Sequence, residues 1–364
     1  MNTQPAITAD LRLIRQNART ILEACARQGV QLAAVTKVTC ANAAVARTLA
    51  SSGAQMLADS RTLNLGRLPD TLPRLCLRIS APEEAEEVVR DSEYSLQSGI
   101  PAIHALGAAA RKAGRRHGVI LMIDLGDLRE GIFFRDTALI NRAVGVTLEE
   151  EGLSLAGVGC NLTCFGGILP DARNMGALLA IAEGIRQRFG VPLPLVSGGN
   201  SSSLRLLFDG SLPRGVNHLR VGEGLLLGMD TYDGTPFPQL SQRAFTLSAR
   251  LVEVYDKPSR PEGQSGPNAF GEQVVFEDTG PMRRGILALG RQDTQQDGLT
   301  PLDARVKVLG GSSDHLLVDL SAAPGYRVGD VLAFTPDYGA LLKAYTSPYV
   351  AKFHLDLEGN PLPG

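Results

Sequence analysis

The chain has 364 residues and a formal net charge of −2 at pH 7, with 44% hydrophobic and 20% charged residues. This composition is typical of soluble globular proteins, and the length exceeds what one hydrophobic core usually supports, so we expect a larger and a smaller domain. The small, mixed charge gives no field that favours nucleic acid or an anionic membrane, which leaves small molecules as the expected partners.

Neither a membrane span nor a secretory signal is predicted. The longest apolar runs, such as Gly118 to Asp124, fall far short of the roughly 20 residues that a spanning helix needs. The N-terminus, MNTQPAITAD, lacks a basic start followed by an apolar core. We therefore expect a cytoplasmic protein. The five cysteines are odd in number and lack CxxC spacing, so neither disulfides nor a metal site is indicated.

The first predicted element is an amphipathic helix from Thr8 to Gln28, whose apolar residues recur at helical spacing. Eight short apolar runs that we expect to be strands follow it, and helical segments such as Pro101–Arg116 and Ala172–Phe189 separate several of them. The predicted strands lie near Leu32–Val35, Gln55–Ala58, Leu75–Ile79, Glu93–Leu96, Val119–Leu125, Leu155–Asn161, Leu193–Ser197 and His218–Val221.

Eight strands alternating with helices predict an α/β fold, a (β/α)8 TIM-type barrel with its chemistry at the C-terminal ends of the strands. A doubly wound open sheet is the alternative, because periodicity alone cannot close a barrel. Beyond Asp230 the pattern changes to short alternating segments between Gly, Pro and Asp clusters, which predicts a smaller mainly-β domain. We place the barrel at residues 1–235 and the β domain at 236–364. The Pro- and Gly-containing stretch Lys257 to Asn268 predicts an extended or binding loop.

Lys37 is the first candidate for chemistry, because it follows directly after an apolar strand. At the mouth of a barrel its side chain would be partly desolvated, a setting that favours covalent bonding to an aldehyde. The alternative is an ordinary surface lysine past a strand end, and this feature alone does not decide between the two.

Two glycine-bearing segments also follow predicted strands. Ser197–Gly–Gly–Asn–Ser–Ser–Ser203 offers backbone N–H groups and hydroxyls at a helix N-terminus, which is a sound phosphate site. A glycine turn with serine N-caps is its alternative. His218–Leu–Arg–Val–Gly–Glu–Gly224 places Arg220 inward and Gly222 where a backbone can approach a ligand. An ordinary salt-bridged arginine is the alternative there.

Charge is concentrated in Ile123–Asp–Leu–Gly–Asp–Leu–Arg–Glu–Gly131, directly after another apolar strand. Arg129 in this run is a candidate to bind a carboxylate or to orient a cofactor oxygen, and solvated loop charges are the alternative. Gly159–Cys–Asn–Leu–Thr–Cys–Phe–Gly–Gly167 similarly offers Asn161 at a strand end.

Taken together, these motifs resemble the ornithine-racemase branch of the alanine racemase-like enzymes that depend on pyridoxal 5′-phosphate (PLP). Several motifs in the same order are far more specific than any one of them, and they cover most of the chain. The matching residues are Lys37, Ala58–Asp–Ser–Arg61, Asp124–Leu–Gly–Asp–Leu–Arg–Glu–Gly131, Asn161–Leu–Thr163, Ser197–Gly–Gly–Asn–Ser–Ser–Ser203, His218–Leu–Arg–Val–Gly222, Gly290–Arg–Gln–Asp293 and Ser312–Ser–Asp–His315.

The resemblance implies a PLP-binding barrel followed by a β domain, in a head-to-tail homodimer whose partner completes each active site. By carry-over, Lys37 would form a Schiff base with PLP and Arg220 would face the pyridine nitrogen. Such an arginine keeps that nitrogen unprotonated, which favours racemisation over fuller carbanion chemistry. The remaining cofactor-binding residues would be Asn161, Asn200, Ser201, Ser202, Gly222 and Tyr338.

The chain departs from alanine racemases at three positions. Asn161 stands where they carry a histidine, and Met122 stands where many carry a modified lysine. Phe270 replaces the tyrosine that serves as the second base, and a phenyl ring cannot transfer a proton. Asp314 and His315 of the partner chain are candidates for that second base, together with the hydroxyls of Ser312 and Ser313.

The resemblance also suggests which residues bind the substrate. Arg129 matches the arginine near the substrate carboxylate, and Arg291 is expected to bind that carboxylate in trans. Asp127, Asp293 and Asp314 are candidates to bind a distal ammonium, with Ser313 beside them. Surface ion pairs of loop carboxylates are the alternative for each.

The function expected from the sequence is therefore racemisation of a free basic amino acid, ornithine first, then lysine or arginine. A racemase of alanine or serine is one alternative, and a non-catalytic PLP carrier is another, although the β domain argues against a carrier. PLP lyases of related fold need a late metal site of His and Cys, and related decarboxylases need a cysteine in the β domain. All cysteines of this chain precede residue 165.

Overall fold

The computed structural model describes residues 5–362 of the chain. These residues form two compact units, one from Leu13–Gln242 and the other from residues 5–12 together with 243–362. The domain boundary predicted from the sequence, between residues 235 and 236, precedes the division between Gln242 and Arg243. The prediction also placed residues 5–12 in the first domain.

The N-terminal segment contains strand β1 (Ala6–Asp10) and helix α1 (Leu11–Gln28). The strands that follow in the larger unit are β2 (Gln31–Val35), β3 (Met56–Asp59), β4 (Arg74–Cys76), β5 (Tyr94–Gln97), β6 (His117–Asp124), β7 (Ile132–Phe133), β8 (Leu153–Gly159), β9 (Leu195–Ser197) and β10 (His218–Val221). Its other helices are α2 (Ala43–Ser51), α3 (Thr62–Leu65), α4 (Ala85–Asp91), α5 (Ile100–Lys112), α6 (Thr137–Glu149), α7 (Ala172–Phe189), α8 (Leu204–Phe208) and α9 (Glu223–Leu227).

The larger unit is a closed barrel of eight parallel strands. Its strands are ordered β5-β4-β3-β2-β10-β9-β8-β6, and β5 also pairs with β6, from Tyr94 opposite Gly118 to Gln97 opposite Leu121. This last pairing closes the circle, so the predicted barrel is confirmed and the open sheet is excluded. All eight strands predicted from the sequence are members of it.

The barrel interior is a packed apolar core. All of its strands except β10 contribute buried aliphatic or small side chains to this core, and Leu75, Leu96 and Ile120 are fully excluded from solvent. Met122, at the position of the modified lysine in many alanine racemases, lies in this core and is also fully buried. Because side chains fill the interior, polar chemistry is confined to the ends of the barrel.

The predicted first helix begins too early. Residues 8–10 belong to β1, which pairs antiparallel with strand β11 (Phe245–Pro258) and parallel with strand β17 (Ala351–Leu355). Backbone hydrogen bonds to two distant strands outweigh the local helical periodicity. A short window of the sequence cannot detect such distant pairings.

The second unit is built on an antiparallel sheet. Between β11 and β17 lie β12 (Pro281–Leu287), β13 (Leu299–Pro301), β14 (Lys307–Gly311), β15 (Leu316–Asp319), β16 (Val331–Pro336) and helix α10 (Tyr338–Thr346). The strand order is β13-β16-β11-β12-β15-β14, with β1 paired beside β11. The predicted mainly-β character of this part of the chain is confirmed.

We expect the buried His117 to make folding stability depend on pH. Its Nε2 lies 2.9 Å from Ser95 Oγ, and burial lowers the pKa of the imidazole to about 4. In the unfolded chain this imidazole binds a proton as the pH falls through about 6.5, whereas in the folded chain it stays neutral until about pH 4. The free energy of unfolding therefore falls as the pH drops below 6.5. Between pH 7 and 5.5 this histidine should account for about 1 kcal/mol of lost unfolding free energy.

Urea unfolding of wild type and His117→Gln at the two pH values measures that difference. The variant should lose less stability on acidification, whereas His315→Gln, at an exposed position, should behave as wild type. An unchanged pH dependence in His117→Gln would contradict the prediction.

Candidate active site

Lys37 lies where the sequence predicts it, in a short 3-10 turn, Lys37–Thr39, just past the end of β2. The residue before it, Thr36, is anchored twice to the neighbouring strand: its N–H donates to Ala58 O at 2.9 Å, and its hydroxyl donates to Asp59 Oδ2 at 2.9 Å. The backbone at Lys37 is thereby fixed at the barrel rim. The side chain itself is exposed within the chain, in contrast to the partial desolvation expected from the sequence.

The two glycine-bearing segments come together at the same rim. Ser201 Oγ accepts hydrogen bonds from Gly222 N at 3.3 Å and Gly224 N at 3.2 Å, and Asn200 Oδ1 accepts one from Ser202 N at 2.9 Å. A Cβ atom on Gly222 would lie 3.1 Å from the Cβ of Val35, tighter than an ordinary contact. Asn200, Ser201, Ser202, Gly222 and Gly224 thus form a compact polar cradle between the ends of β9 and β10.

Arg220 is buried and points inward, as predicted. Its Nη2 donates to Cys160 O and to Asn161 Oδ1, both at 2.7 Å, and its Nη1 donates to Ser197 Oγ. That hydroxyl also lies 2.7 Å from His218 Nδ1. Burial lowers the pKa of Arg220, and it lowers the pKa of His218 to about 3, with the Arg220 charge as a second cause. His218 is therefore neutral beside the arginine.

Glu130 is the site residue that the sequence analysis missed. It accepts hydrogen bonds from Asn161 Nδ2 and from Arg129, whose Nη2 lies 2.7 Å from Oε1 and whose Nε lies 2.6 Å from Oε2. The candidate Arg129 is therefore already paired with a carboxylate of its own chain. Glu130 lies within the charged run singled out above, but adjacency to Arg129 did not reveal that its side chain meets Asn161.

Asp127 organises the loop that follows β8. Its side chain is buried, and its carboxylate accepts hydrogen bonds from Cys164 N and Phe165 N at 3.0 Å and from Ile168 N at 3.1 Å. Because three backbone amides occupy these oxygens, we no longer expect Asp127 to contact a substrate ammonium.

Backbone strain is concentrated at the same rim. In residues 5–362 the non-glycine residues with positive φ are Cys40, Ala41, Leu128 and Thr163. They lie in the loops after β2, β6 and β8, the loops that carry Lys37, Arg129 and Asn161. Left-handed conformations of such residues persist only where the surrounding structure enforces them, and they cluster at functional sites.

The remaining predicted residues lie in the second unit, where Arg291 is engaged with its neighbours. Its guanidinium donates to both carboxylate oxygens of Glu272, at 2.9 and 2.8 Å, and its Cζ lies 4.2 Å from the centroid of the Phe270 ring. Hydrogen bonds from Arg291 lower the pKa of Glu272 to about 2. The Arg291 guanidinium is therefore already ion-paired within its own chain and is not open to a substrate carboxylate.

Three other candidates of the second unit make hydrogen bonds to nearby side chains: Asp293, Ser313 and Asp314. Asp314 accepts hydrogen bonds from Ser313 Oγ at 2.9 Å and from Gln292 Nε2, in the exposed turn that also carries His315. Asp293 is buried and accepts one from Ser347 Oγ at 2.8 Å, which favours a structural role. Tyr338 is the first residue of α10 and is half-buried.

Residues 5–362 contain no group of three or more His, Cys, Asp or Glu side chains placed to hold a metal ion. Within the same residues no helix has the length and apolarity to cross a bilayer. The five cysteines in this range are free thiols.

Residues 9–229 match the alanine racemase N-terminal domain family. The chain belongs to this family. Over 350 residues it is 41% identical to the ornithine racemase of Acetoanaerobium sticklandii, covering 96% of this chain and 99% of that protein. The lysine racemase of Thermotoga maritima is 37% identical over 353 residues, 96% of this chain and 98% of that protein.

A solved relative supports the fold. The alanine racemase of Bartonella henselae, with covalently bound pyridoxal phosphate, superposes with a TM-score of 0.71 at 17% identity, over 97% of this chain and all of that one. The resemblance stated from the sequence motifs is confirmed by the family match and the two relatives. The predicted enzyme class, an isomerase that racemises an amino acid, is confirmed by the same findings.

We expect Asp127→Asn to loosen the loop after β8 without unfolding the barrel. An amide offers one acceptor oxygen in place of two charged ones, so at least one of the three loop N–H groups loses its partner. Hydrogen bonds to charged groups are worth about 1.5–3 kcal/mol, so amide exchange in residues 164–168 should accelerate by roughly tenfold or more.

Hydrogen exchange followed by mass spectrometry measures this acceleration. Asp136→Asn is the matched control, because Asp136 caps the more distant helix α6 through Leu139 N at 2.9 Å. Equal exchange of residues 164–168 in wild type and Asp127→Asn would show that the carboxylate does not hold this loop.

Proposed function

We propose that this chain racemises a free basic amino acid with PLP as its cofactor, and that ornithine is the preferred substrate ahead of lysine and arginine. The observation that carries the proposal is the convergence, at one rim of the barrel, of Lys37, the buried Arg220 and the cradle around Ser202. The names of the two relatives, an ornithine and a lysine racemase, support a basic substrate.

The residues of the cradle fit the phosphate of PLP. Ser202 Oγ is buried and, within the described residues, has no hydrogen-bond partner, so it has a donor and an acceptor site to offer a ligand. The cost of an unpaired buried hydroxyl disappears when a phosphate oxygen accepts from it. Gly222, Ser201 and Asn200 surround it with backbone N–H groups and polar side chains.

Lys37 and Arg220 fit the rest of the cofactor. Lys37 is the primary amine at this rim and would hold PLP covalently between turnovers. Arg220 is a permanent donor, since a guanidinium does not give up its proton, so a ring nitrogen facing it stays unprotonated. When bound, PLP supplies the electron sink that accepts the electron pair left at Cα, and an unprotonated ring nitrogen limits that sink, which favours prompt reprotonation.

Racemisation requires a proton carrier on each face of Cα. The amine of Lys37, once released by the substrate, takes or returns the Cα proton at its Nζ on one face. The opposite face needs a second group that returns or takes a proton there, and Phe270 has none to move. We propose that Asp314 or His315 of a second copy of the chain supplies it, which makes the enzyme a homodimer. The expected cytoplasmic location stays a prediction.

A substrate panel tests the proposed activity. Purified protein with PLP is incubated separately with L-ornithine, L-lysine, L-arginine, L-alanine and L-serine, and the D-enantiomers are measured by chiral chromatography. We expect D-ornithine to form fastest. Faster formation of D-alanine or D-serine would replace the basic substrate by a small one, and bound PLP without any enantiomer would favour a carrier.

Lys37→Ala should abolish both cofactor attachment and racemisation, because the variant has neither the amine that holds PLP nor the one that moves the proton. We expect activity to fall by at least about a thousandfold, together with loss of the absorbance of lysine-bound cofactor. Lys112→Ala is the matched control: Lys112 lies at the end of α5 in an exposed ion pair with Glu86, and its removal should leave both readouts unchanged. Retention of activity in Lys37→Ala would rule out this mechanism.

A further inference from the structure

We propose that Glu130 is a positioning residue that fixes the substrate-binding Arg129 to the cofactor-binding Arg220 through Asn161. The inference rests on the proposed function, because the roles of the two arginines come from it. Four side chains, from the loops after β6 and β8 and from strand β10, form one continuous path, Arg129–Glu130–Asn161–Arg220, in which every link is a hydrogen bond. Glu130 is the only anion in this path.

The direction of each link follows from donor chemistry. A guanidinium only donates and a carboxylate only accepts, so a residue between Arg220 and Glu130 must do both. The amide of Asn161 does so: its Oδ1 accepts from Arg220 at 2.7 Å and its Nδ2 donates to Glu130. The amide therefore has one favourable orientation, and that orientation depends on the carboxylate at position 130.

Glu130 also decides which edge of Arg129 faces outward. The Nε and Nη2 edge of the guanidinium is bound to Glu130, at 2.6 and 2.7 Å. The second edge of the fork, formed by Nη1 and the other Nη2 proton, is the one that geometry directs away from Glu130. This edge has the spacing that binds a carboxylate with two parallel hydrogen bonds. An arginine held in this way is preorganised for the carboxylate of an amino acid.

The pair differs from an ordinary surface ion pair. The Glu130 side chain is 15% exposed, whereas that of Arg129 is 42% exposed, so the anion lies beneath the cation. Its second partner, Asn161, belongs to a different strand end. The charge of Glu130 also opposes the lowering of the Arg220 pKa, whose largest cause is burial.

The loop after β6 is shaped to place Glu130 there. Asp124 Oδ1 accepts from Gly126 N at 2.9 Å and from Leu128 N at 3.1 Å, and Leu128 has a left-handed φ of 57°. Gly131 follows with a φ of 127°, and a Cβ atom there would lie 2.5 Å from Asp124 N. Any other residue at 131 would clash with the strand backbone, so this turn positions Glu130 at the rim.

The decisive experiment compares Glu130→Gln with wild type in the holoenzyme. The substitution keeps the shape of the side chain and removes its charge, so Arg129 loses its ionic anchor. We expect the KM for the best substrate of the panel to rise on the order of tenfold, with a smaller fall in kcat. Glu149→Gln, on the exposed end of α6, is the matched control and should keep both wild-type constants.

A binding readout separates positioning from loss of activity. The probe is 5-aminopentanoate, which has a carboxylate and a distal ammonium but no α-amino group and so cannot be racemised. Its dissociation constant, measured by calorimetry, should rise by a similar factor in Glu130→Gln. In a double-mutant cycle, adding Glu130→Gln to Arg129→Gln should weaken binding no further, since the anchored side chain is already gone.

Each outcome has a separate meaning. If wild type racemises amino acids but Glu130→Gln keeps KM and probe affinity within twofold, the positioning role is overturned and the proposed function stands. Additive effects in the cycle likewise overturn it, because Glu130 would then act independently of Arg129. If wild type racemises nothing, the proposed function fails and this inference fails with it.

Discussion

The pairing of β5 with β6 is the constraint on which the site depends. It joins the two end strands of the sheet and so curves the neighbouring parallel strands β2, β10, β9, β8 and β6, whose C-terminal ends share one edge, around a common rim. Lys37, Glu130, Asn161, Ser202 and Arg220 are far apart in the sequence, and no local interaction would bring them together. An open sheet of the same strands would separate the segment after β6 from that after β5, whereas closure fixes every strand end against two neighbours.

The apolar interior has a second consequence, because any charge that enters the barrel must be paired. Arg220 is buried, and burying a cation without partners costs far more than a single hydrogen bond returns. Three acceptors offset that cost: the Ser197 hydroxyl, the Cys160 carbonyl and the Asn161 amide. His218 stays neutral beside it, since burial lowers its pKa to about 3, and two adjacent buried cations are avoided.

Much of the barrel could be predicted from the sequence because its strands are short apolar runs bounded by turn residues. Lys37 and Arg220 were identified by their positions at strand ends, which the barrel places at one rim. Strand β1 was not predicted, because residues 8–10 fit a helical pattern locally and pair with β11 and β17, which are distant in the sequence.

The sequence could not show that Asp127 anchors a loop whereas Glu130 lies among the site residues. Both are carboxylates in one charged run. The left-handed turn at Leu128 separates them, with Asp127 facing the loop after β8 and Glu130 facing the rim. Sequence spacing does not record that turn. Asp314, His315 and Tyr338 stay predictions for another reason: the resemblance assigns them to a site completed by a second copy of the chain.

The identity of residue 161 follows from the path that it joins. Alanine racemases are expected to carry a histidine there, and an imidazole placed between an arginine and a glutamate must keep one nitrogen as acceptor and the other as donor. Protonation would remove the acceptor and set a second cation against Arg220. An asparagine amide has both a donor and an acceptor at every pH, so the link between Glu130 and Arg220 does not titrate. With Glu130 as the anion and Asn161 as the connector, the path that is proposed to orient Arg129 contains no imidazole whose charge could change during the reaction.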